Sequence, residues 1–150
     1  MLGNVLILGA KGRFGRAAAD AFSSAGWQVR CFARTWNGAV NGAVTGAVEP
    51  AGVERISGDA FDANVLAAAA EGCDVIVNAL NPPYHRWRRD LPRLTMNVIH
   101  AAKSSGATVM IPGNIYTYGA AMPARLSEAT PAAPTTRKGR LRVAMERAFA

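Results

Sequence analysis

Apolar positions fall into two rhythms that take turns along the chain. Asn4–Leu8 (NVLIL) is an unbroken apolar run of strand length, ending at Gly9. From Arg13 the spacing changes. Phe14, Ala17, Ala18, Ala21, Phe22 and Ala25 recur at three- and four-residue steps, which predicts a helix face closed by Gly26. Trp27–Ala33 then alternates, with Trp27, Val29, Cys31 and Ala33 on one side and Gln28, Arg30 and Phe32 on the other, as a second strand would. Strand, glycine turn, helix and strand within about thirty residues make a βαβ unit.

The same alternation continues. Val53–Ile56 predicts a third strand, and Asp62 an N-cap for a helix through Ala70 that stops at Gly72. Asp74–Leu80 (DVIVNAL) is the fourth strand. Asn81–Tyr84 (NPPY) then breaks the chain before a long helix, roughly Asp90 to Ser105, with Leu91, Leu94, Val98 and Ala102 inward and Gly106 as its end. Thr108–Ile111 is the fifth strand, and Thr136 caps a last helix bearing Leu141, Met145 and Phe149. Between the second and third strands lies a tandem tetrapeptide over 37–48, NGAV-NGAV-TGAV, whose three glycines disfavour a helix; it reads as a low-complexity loop in place of a crossover helix. Strands alternating with helices imply an α/β domain over 1–150, built on a parallel sheet covered on both faces. Right-handed crossovers narrow this to a doubly wound sheet of order 3-2-1-4-5, with a ligand crevice at the carboxyl ends of strands one and four.

Composition adds limits. With 150 residues, 50% of them hydrophobic, the chain can bury a core of its own. No apolar block is long enough to predict a transmembrane helix, and Met1–Ala10 lacks the basic start of a signal peptide. Cys31 and Cys73 have no metal-ligand spacing and read as buried thiols in a reducing cytoplasm; no metal site is expected. The net charge of +7 is uneven: six basic and seven acidic residues precede His85, and eleven basic and three acidic residues follow from it. Charge of this kind suits a phosphate-bearing ligand, an acidic surface or nucleic acid, so motifs must decide among them.

The motif is Gly9-Ala10-Lys11-Gly12-Arg13-Phe14-Gly15, a GxxGxxG loop directly after a strand and directly before a helix. Gly9 permits the tight turn, Gly12 lets a pyrophosphate approach the backbone, and Gly15 lets the helix pack on the strand. The free N–H groups and positive end of that helix then face the phosphates. The residue closing the second strand selects the nucleotide. An acid there would hold the adenosine ribose of NAD, but this chain has Arg34, nineteen residues after Gly15, with no acid beside it. A guanidinium suits a 2′-phosphate, and Lys11 and Arg13 add positive charge, so NADP is the expected cofactor, with NAD the alternative.

GAKGRFG after the first strand, GDAFD after the third, VNALNPP after the fourth and PGNIYTYG after the fifth resemble the extended and atypical short-chain dehydrogenases/reductases, more narrowly the NAD-dependent epimerases and dehydratases. The resemblance spans almost the whole chain and implies the N-terminal Rossmann half of such a protein. It implies that Asp59 and Ala60 lie against the adenine and that Asn78, Ala79 and Leu80 line the ribose and nicotinamide side. It also implies a catalytic Tyr-x-x-x-Lys pair assisted by a Ser or Thr, and here the sequence departs from the family. Asn114 stands at the serine position, Lys138 at the tyrosine and Arg142 at the lysine in KGRLRVAME. Asn114 can still donate to a carbonyl, Tyr116 or Tyr118 can bring a phenol from another direction, and Lys138 can bring a cation.

Relatives of this kind continue past this helix with further strands and a substrate lobe. The expected partners are therefore a dinucleotide, an unidentified small-molecule substrate, and either a missing C-terminal half or a second copy covering the fifth strand's edge. Two other readings compete with an NADP-dependent oxidoreductase or epimerase/dehydratase. One is a catalytically silent NADP sensor or interaction module. The other is a nucleic-acid binder using His85-Arg86-Trp87-Arg88-Arg89 and the Arg137–Arg142 cluster, with Trp87 stacking on a base. No nucleic-acid fold signature supports the last of these.

Overall fold

The computed structural model describes residues 2–36 and 53–150; the NGAV repeat at 37–48 lies outside them. β1 (Asn4–Leu8) pairs in parallel with β2 (Gln28–Ala33) on one side and β4 (Val75–Asn78) on the other. β3 (Val53–Ser57) extends the sheet beyond β2, and β5 (Thr108–Met110) extends it beyond β4. The order is β3-β2-β1-β4-β5, the doubly wound arrangement that the strand–helix alternation predicts. Val5, Leu6, Ile7 and Leu8 are wholly buried, as the unbroken apolar run of a central strand requires. Both edge strands are more polar and more open.

Four helices alternate with or follow these strands along the chain: α1 (Arg13–Ser24), α2 (Ala63–Ala70), α3 (Trp87–Ser105) and α4 (Arg137–Phe149). α1 ends at Gly26, which takes the left-handed conformation. Its buried face differs from the one that periodicity predicts. Gly15, Ala18 and Ala19 are buried with Phe22 partly so, whereas Phe14, Ala17, Ala21 and Ala25 face outward. The stripe is turned because the smallest residues allow the closest approach to the sheet, and helix-to-sheet contact outweighs the hydrophobicity of a lone phenylalanine. α3 begins at Trp87, three residues before the predicted start, after a single 3₁₀ turn at Tyr84–Arg86. The Trp87 indole N–H donates to the Pro82 carbonyl at 2.9 Å and its ring is buried, which fixes the entry into the helix.

By contact the chain falls into two units. The first, Met1–Asn81 with Met96–Pro112, holds the sheet, α1, α2 and the second half of α3. Its core gathers Val5, Ile7, Val29, Cys31 and Val77 with Ala18 and Ala19. The second, Pro82–Thr95 with Gly113–Ala150, holds the start of α3, a 3₁₀ turn at Ile115–Tyr118 and α4. α4 buries Met145 as expected, together with Gly139, Arg142 and Val143, while Leu141 and Phe149 are half-buried.

Asp62 caps α2 as its place in the sequence predicts, its carboxylate accepting from the N–H groups of Asn64 and Val65 at 3.0 and 3.2 Å. Asp62→Ala is expected to cost about 1 kcal/mol in urea unfolding, and Asp62→Asn to recover most of it, because an amide oxygen caps as well as a carboxylate.

Candidate functional site

A parallel sheet brings the carboxyl ends of all its strands to one edge, and the first unit places its sequence-predicted residues there. Gly9 follows β1 with φ +72°, and a Cβ on it would lie 2.7 Å from the Ala79 carbonyl oxygen after β4. The Gly12 N–H donates to the Gly9 carbonyl at 2.9 Å, closing the turn. Gly12 is the N-cap of α1 and carries no side-chain cap, so the first-turn N–H groups of Arg13, Phe14 and Gly15 are left to whatever anion approaches. A Cβ at Gly15 would overlap the Gly9 carbonyl oxygen and sit 2.8 Å from the Ala10 Cα. At Gly12, by contrast, an added Cβ would meet only the Gly9 oxygen, at 3.3 Å; the space beyond it is open. A cradle of backbone donors with an open face fits a dinucleotide pyrophosphate.

Lys11 reaches across to the segment after β2, donating to the Thr35 carbonyl at 3.0 Å. This ties the glycine loop to the turn that carries the exposed Arg34. Trp36 anchors the same turn from the other end: its indole N–H donates to the Ile56 carbonyl at 3.1 Å, with the Arg55 guanidinium 5.3 Å from its ring centre. Asp59, after β3, accepts the Phe61 N–H at 3.0 Å in an Asx turn, so one carboxylate oxygen already shapes the loop. Ala60 is buried, and its carbonyl accepts from the Asn97 side chain at 2.9 Å. Asn97 was not legible in the sequence, since it lies on a helix 37 residues further on and only the fold brings it there. Asn78 is buried at the end of β4 and accepts the Leu80 N–H at 3.3 Å, while the Ala79 N–H donates to the Leu8 carbonyl at 3.0 Å.

The second unit gathers most of the residues expected of the chemistry. Asn114 caps the 3₁₀ turn, its side-chain oxygen accepting the Tyr116 N–H at 3.0 Å and its carbonyl accepting from the buried Thr117 hydroxyl at 3.1 Å. Its cap role leaves the amide NH₂ as its donor. Tyr116 meets Tyr84, a residue the sequence reading passed over, with the two phenol oxygens 3.4 Å apart. Both rings lie against Trp87: Tyr84 edge-on at 5.0 Å and Tyr116 tilted at 6.3 Å between centres. The Lys138 ammonium sits over the Tyr84 ring, 4.2 Å from its centre. This position depends on Gly139, where any Cβ would overlap the Tyr116 carbonyl oxygen. Tyr118 is half-buried and makes no part of this cluster. The hydrogen bond with Tyr116 pushes the Tyr84 phenol above its ordinary pKa, against a smaller downward pull from Lys138.

The net positive charge belongs to this unit, which has ten Lys or Arg against three Asp or Glu. Much of it is organised by one buried carboxylate. Asp90 accepts from Arg89 at 2.6 Å and from Arg86 at 2.9 Å, and those arginines hold it below the usual aspartate range. Trp87 is only 2% exposed, so it cannot stack on a base as the nucleic-acid reading expects. Arg142 is also buried, packed along its own helix against Met145 and Glu146, and burial lowers its pKa.

A parallel five-stranded sheet with a glycine turn at the edge where β1 and β4 end defines a dinucleotide-binding protein of the Rossmann class. A family model described as NAD(P)H-binding matches residues 9–138, and the chain belongs to that family. Its fold is shared by solved epimerase and dehydrogenase structures. WbmG from Bordetella bronchiseptica, solved in complex with NAD, superposes with a TM-score of 0.76 at 21% identity over 98% of this chain and 49% of its own. UDP-N-acetylglucosamine 4-epimerase from Bacillus cereus gives 0.76 at 15% identity, covering 98% of this chain and 49% of the enzyme. Glucuronic acid dehydrogenase from Chromohalobacter salexigens gives 0.74 at 21% identity, covering 98% and 54%. The chain thus spans about half the length of these structures. No curated protein matches it.

Two outcomes test this geometry. Gly12→Ala should leave stability within about 1 kcal/mol while weakening NADPH binding at least tenfold in a fluorescence titration; Gly15→Ala should cost about 1–3 kcal/mol of stability as well. Asp90 has a lowered pKa in the folded state, so its contribution is fully present above the unfolded aspartate pKa of about 3.9 and is lost as pH falls through the lower folded value. Asp90→Asn should therefore be less stable than wild type at pH 7, with the difference narrowing towards pH 2 in denaturant titrations.

Proposed function

We propose that this chain is the dinucleotide-binding portion of an oxidoreductase or epimerase/dehydratase and prefers NADP(H) to NAD(H). The observation that carries the preference is Arg34, exposed at the end of β2 with no acid beside it and held near the glycine loop through the Lys11–Thr35 bond. Coulomb attraction to a dianionic 2′-phosphate favours a cation at that place, where a carboxylate would repel it. In this reading Gly9, Gly12 and Gly15 shape the pyrophosphate cradle, and the backbone of Arg13 and Phe14 donates to it. Asp59 and Ala60 border the adenine, and Asn78, Ala79 and Leu80 border the ribose and nicotinamide. Bound there, the cofactor would supply or remove a hydride; the protein's part is to hold and orient it. The setting is a reducing cytoplasm, where buried Cys31 and Cys73 remain thiols; burial pushes the Cys73 pKa up and keeps it unreactive.

A second reading, a silent NADP sensor, is favoured by one observation: Lys138 and Arg142 occupy the positions where the resemblance places tyrosine and lysine. Titration of the wild-type chain with NADPH and NADH decides the cofactor. NADPH should bind at least tenfold tighter, and Arg34→Ala should remove most of that ratio while leaving NADH affinity within about twofold. Equal affinities, unaltered by Arg34→Ala, would reject the preference. Hydride transfer from labelled NADPH to a panel of carbonyl compounds and nucleotide sugars separates enzyme from sensor.

A further inference from the structure

We propose that Trp36 is the positioning residue of 2′-phosphate recognition, acting through Arg34 rather than by touching the ligand. The inference deepens the NADP(H) reading and rests on it, because Arg34 has a preference to express only where a dinucleotide binds beside the glycine loop. β2 ends at Ala33, whose carbonyl accepts the Gly58 N–H at 3.0 Å, so Arg34, Thr35 and Trp36 run past the parallel pairing of β2 with β3. Beyond that pairing the course of the backbone depends on side chains. The Lys11 ammonium, from the glycine loop, donates to the Thr35 carbonyl at 3.0 Å. One residue later the Trp36 indole N–H donates to the Ile56 carbonyl of β3 at 3.1 Å.

Trp36 turns back along the sheet. Register pairs Cys31 with Arg55 across β2 and β3, so these two side chains share a face. Cys31 belongs to the core cluster that includes Ala18 and Ala19 of α1, and the half-buried Trp36 packs against that same cluster. The Arg55 guanidinium lies 5.3 Å from the Trp36 ring centre. The chain therefore leaves the end of β2 and folds back onto the α1 face, which puts Arg34 and Thr35, both exposed, at the bend. Indole burial, a hydrogen bond to β3 and a cation over the ring hold one end of the bend, and Lys11 holds its middle. Arg34 then projects from a backbone already ordered by folding, so a 2′-phosphate need not order the loop on binding. A dinucleotide without that phosphate gains nothing from the arrangement, which makes Trp36 a determinant of preference rather than of affinity in general.

A double-mutant cycle tests the assignment, read as the ratio of the NADH to the NADPH dissociation constant in fluorescence titrations. Trp36→Ala should lower that ratio about fivefold while leaving NADH affinity within about twofold. Trp36→Phe, which keeps a ring between the core and Arg55, should restore most of the ratio. Combined with Arg34→Ala, Trp36→Ala should change the ratio by less than about 1.5-fold, because the side chain it serves is gone. If Trp36→Ala shows no cooperative urea transition, Arg55→Met at its exposed position replaces it in the cycle, with an expected fall of about threefold alone and none beside Arg34→Ala; an unchanged ratio in Arg55→Met would then overturn the proposal. Equal losses of NADH and NADPH affinity in Trp36→Ala would make the indole a structural support only. A fall in the ratio as large beside Arg34→Ala as in the wild-type background would show that Trp36 does not act through Arg34. Either result overturns the proposal and leaves the NADP(H) preference standing. Equal affinities for the two cofactors in wild type, unaltered by Arg34→Ala, would remove the preference and this proposal together.

Discussion

The close approach of three backbone segments at the end of β1 governs the first unit. Gly9 lies against Ala79, Gly15 lies against Gly9 and Ala10, and neither contact leaves room for a single extra carbon. These approaches set how near α1 stands to the sheet and how near β4's end stands to the glycine loop. The same geometry leaves the amino end of α1 uncapped by any side chain and open on the Gly12 side. Packing and binding therefore come from one constraint: the helix that closes over the sheet is also the helix whose unpaired N–H groups face outward. Polar side chains around it make local bonds, the buried Asn78 to the Leu80 N–H and the exposed Asp59 to the Phe61 N–H, which shape the strand-end loops.

The second unit is organised by a different principle. Its sequence is strongly cationic, and a helix start carrying Arg137, Lys138 and Arg140 has no acidic partner in its first turn. Repulsion is relieved in two ways. Asp90, buried at the start of α3, gathers Arg86 and Arg89, while Lys138 finds the electron-rich face of Tyr84. Trp87 gives the second arrangement a buried support. The outcome is a surface where phenols and cations are displayed in defined positions on a buried aromatic anchor.

The second unit brings two phenols and an ammonium, those of Tyr84, Tyr116 and Lys138, together from three separate segments. The chain spans about half the length of the epimerase and dehydrogenase structures that share its fold. β5 is an edge of the sheet among the described residues and leaves Met110 about half exposed.

Local chemistry made much of this readable beforehand. The unbroken apolar run of β1, the glycine loop, the Asp62 and Thr136 caps and the glycine stops at 26, 72 and 106 are all short-range signals, and each marks its element within a few residues. Strand order followed because parallel crossovers have one hand. Sequence alone did not determine which face of α1 turns inward, because closeness of packing depends on the partner surface as well as on hydrophobic spacing. Nor did it reveal Asn97 beneath Ala60, or the meeting of Tyr84, Tyr116 and Lys138. Those contacts join residues dozens of positions apart, and only the folded backbone fixes the distances between them. Periodicity and turn chemistry are written in neighbours along the chain, whereas the pairing of side chains from separate segments exists only once the chain has closed on itself.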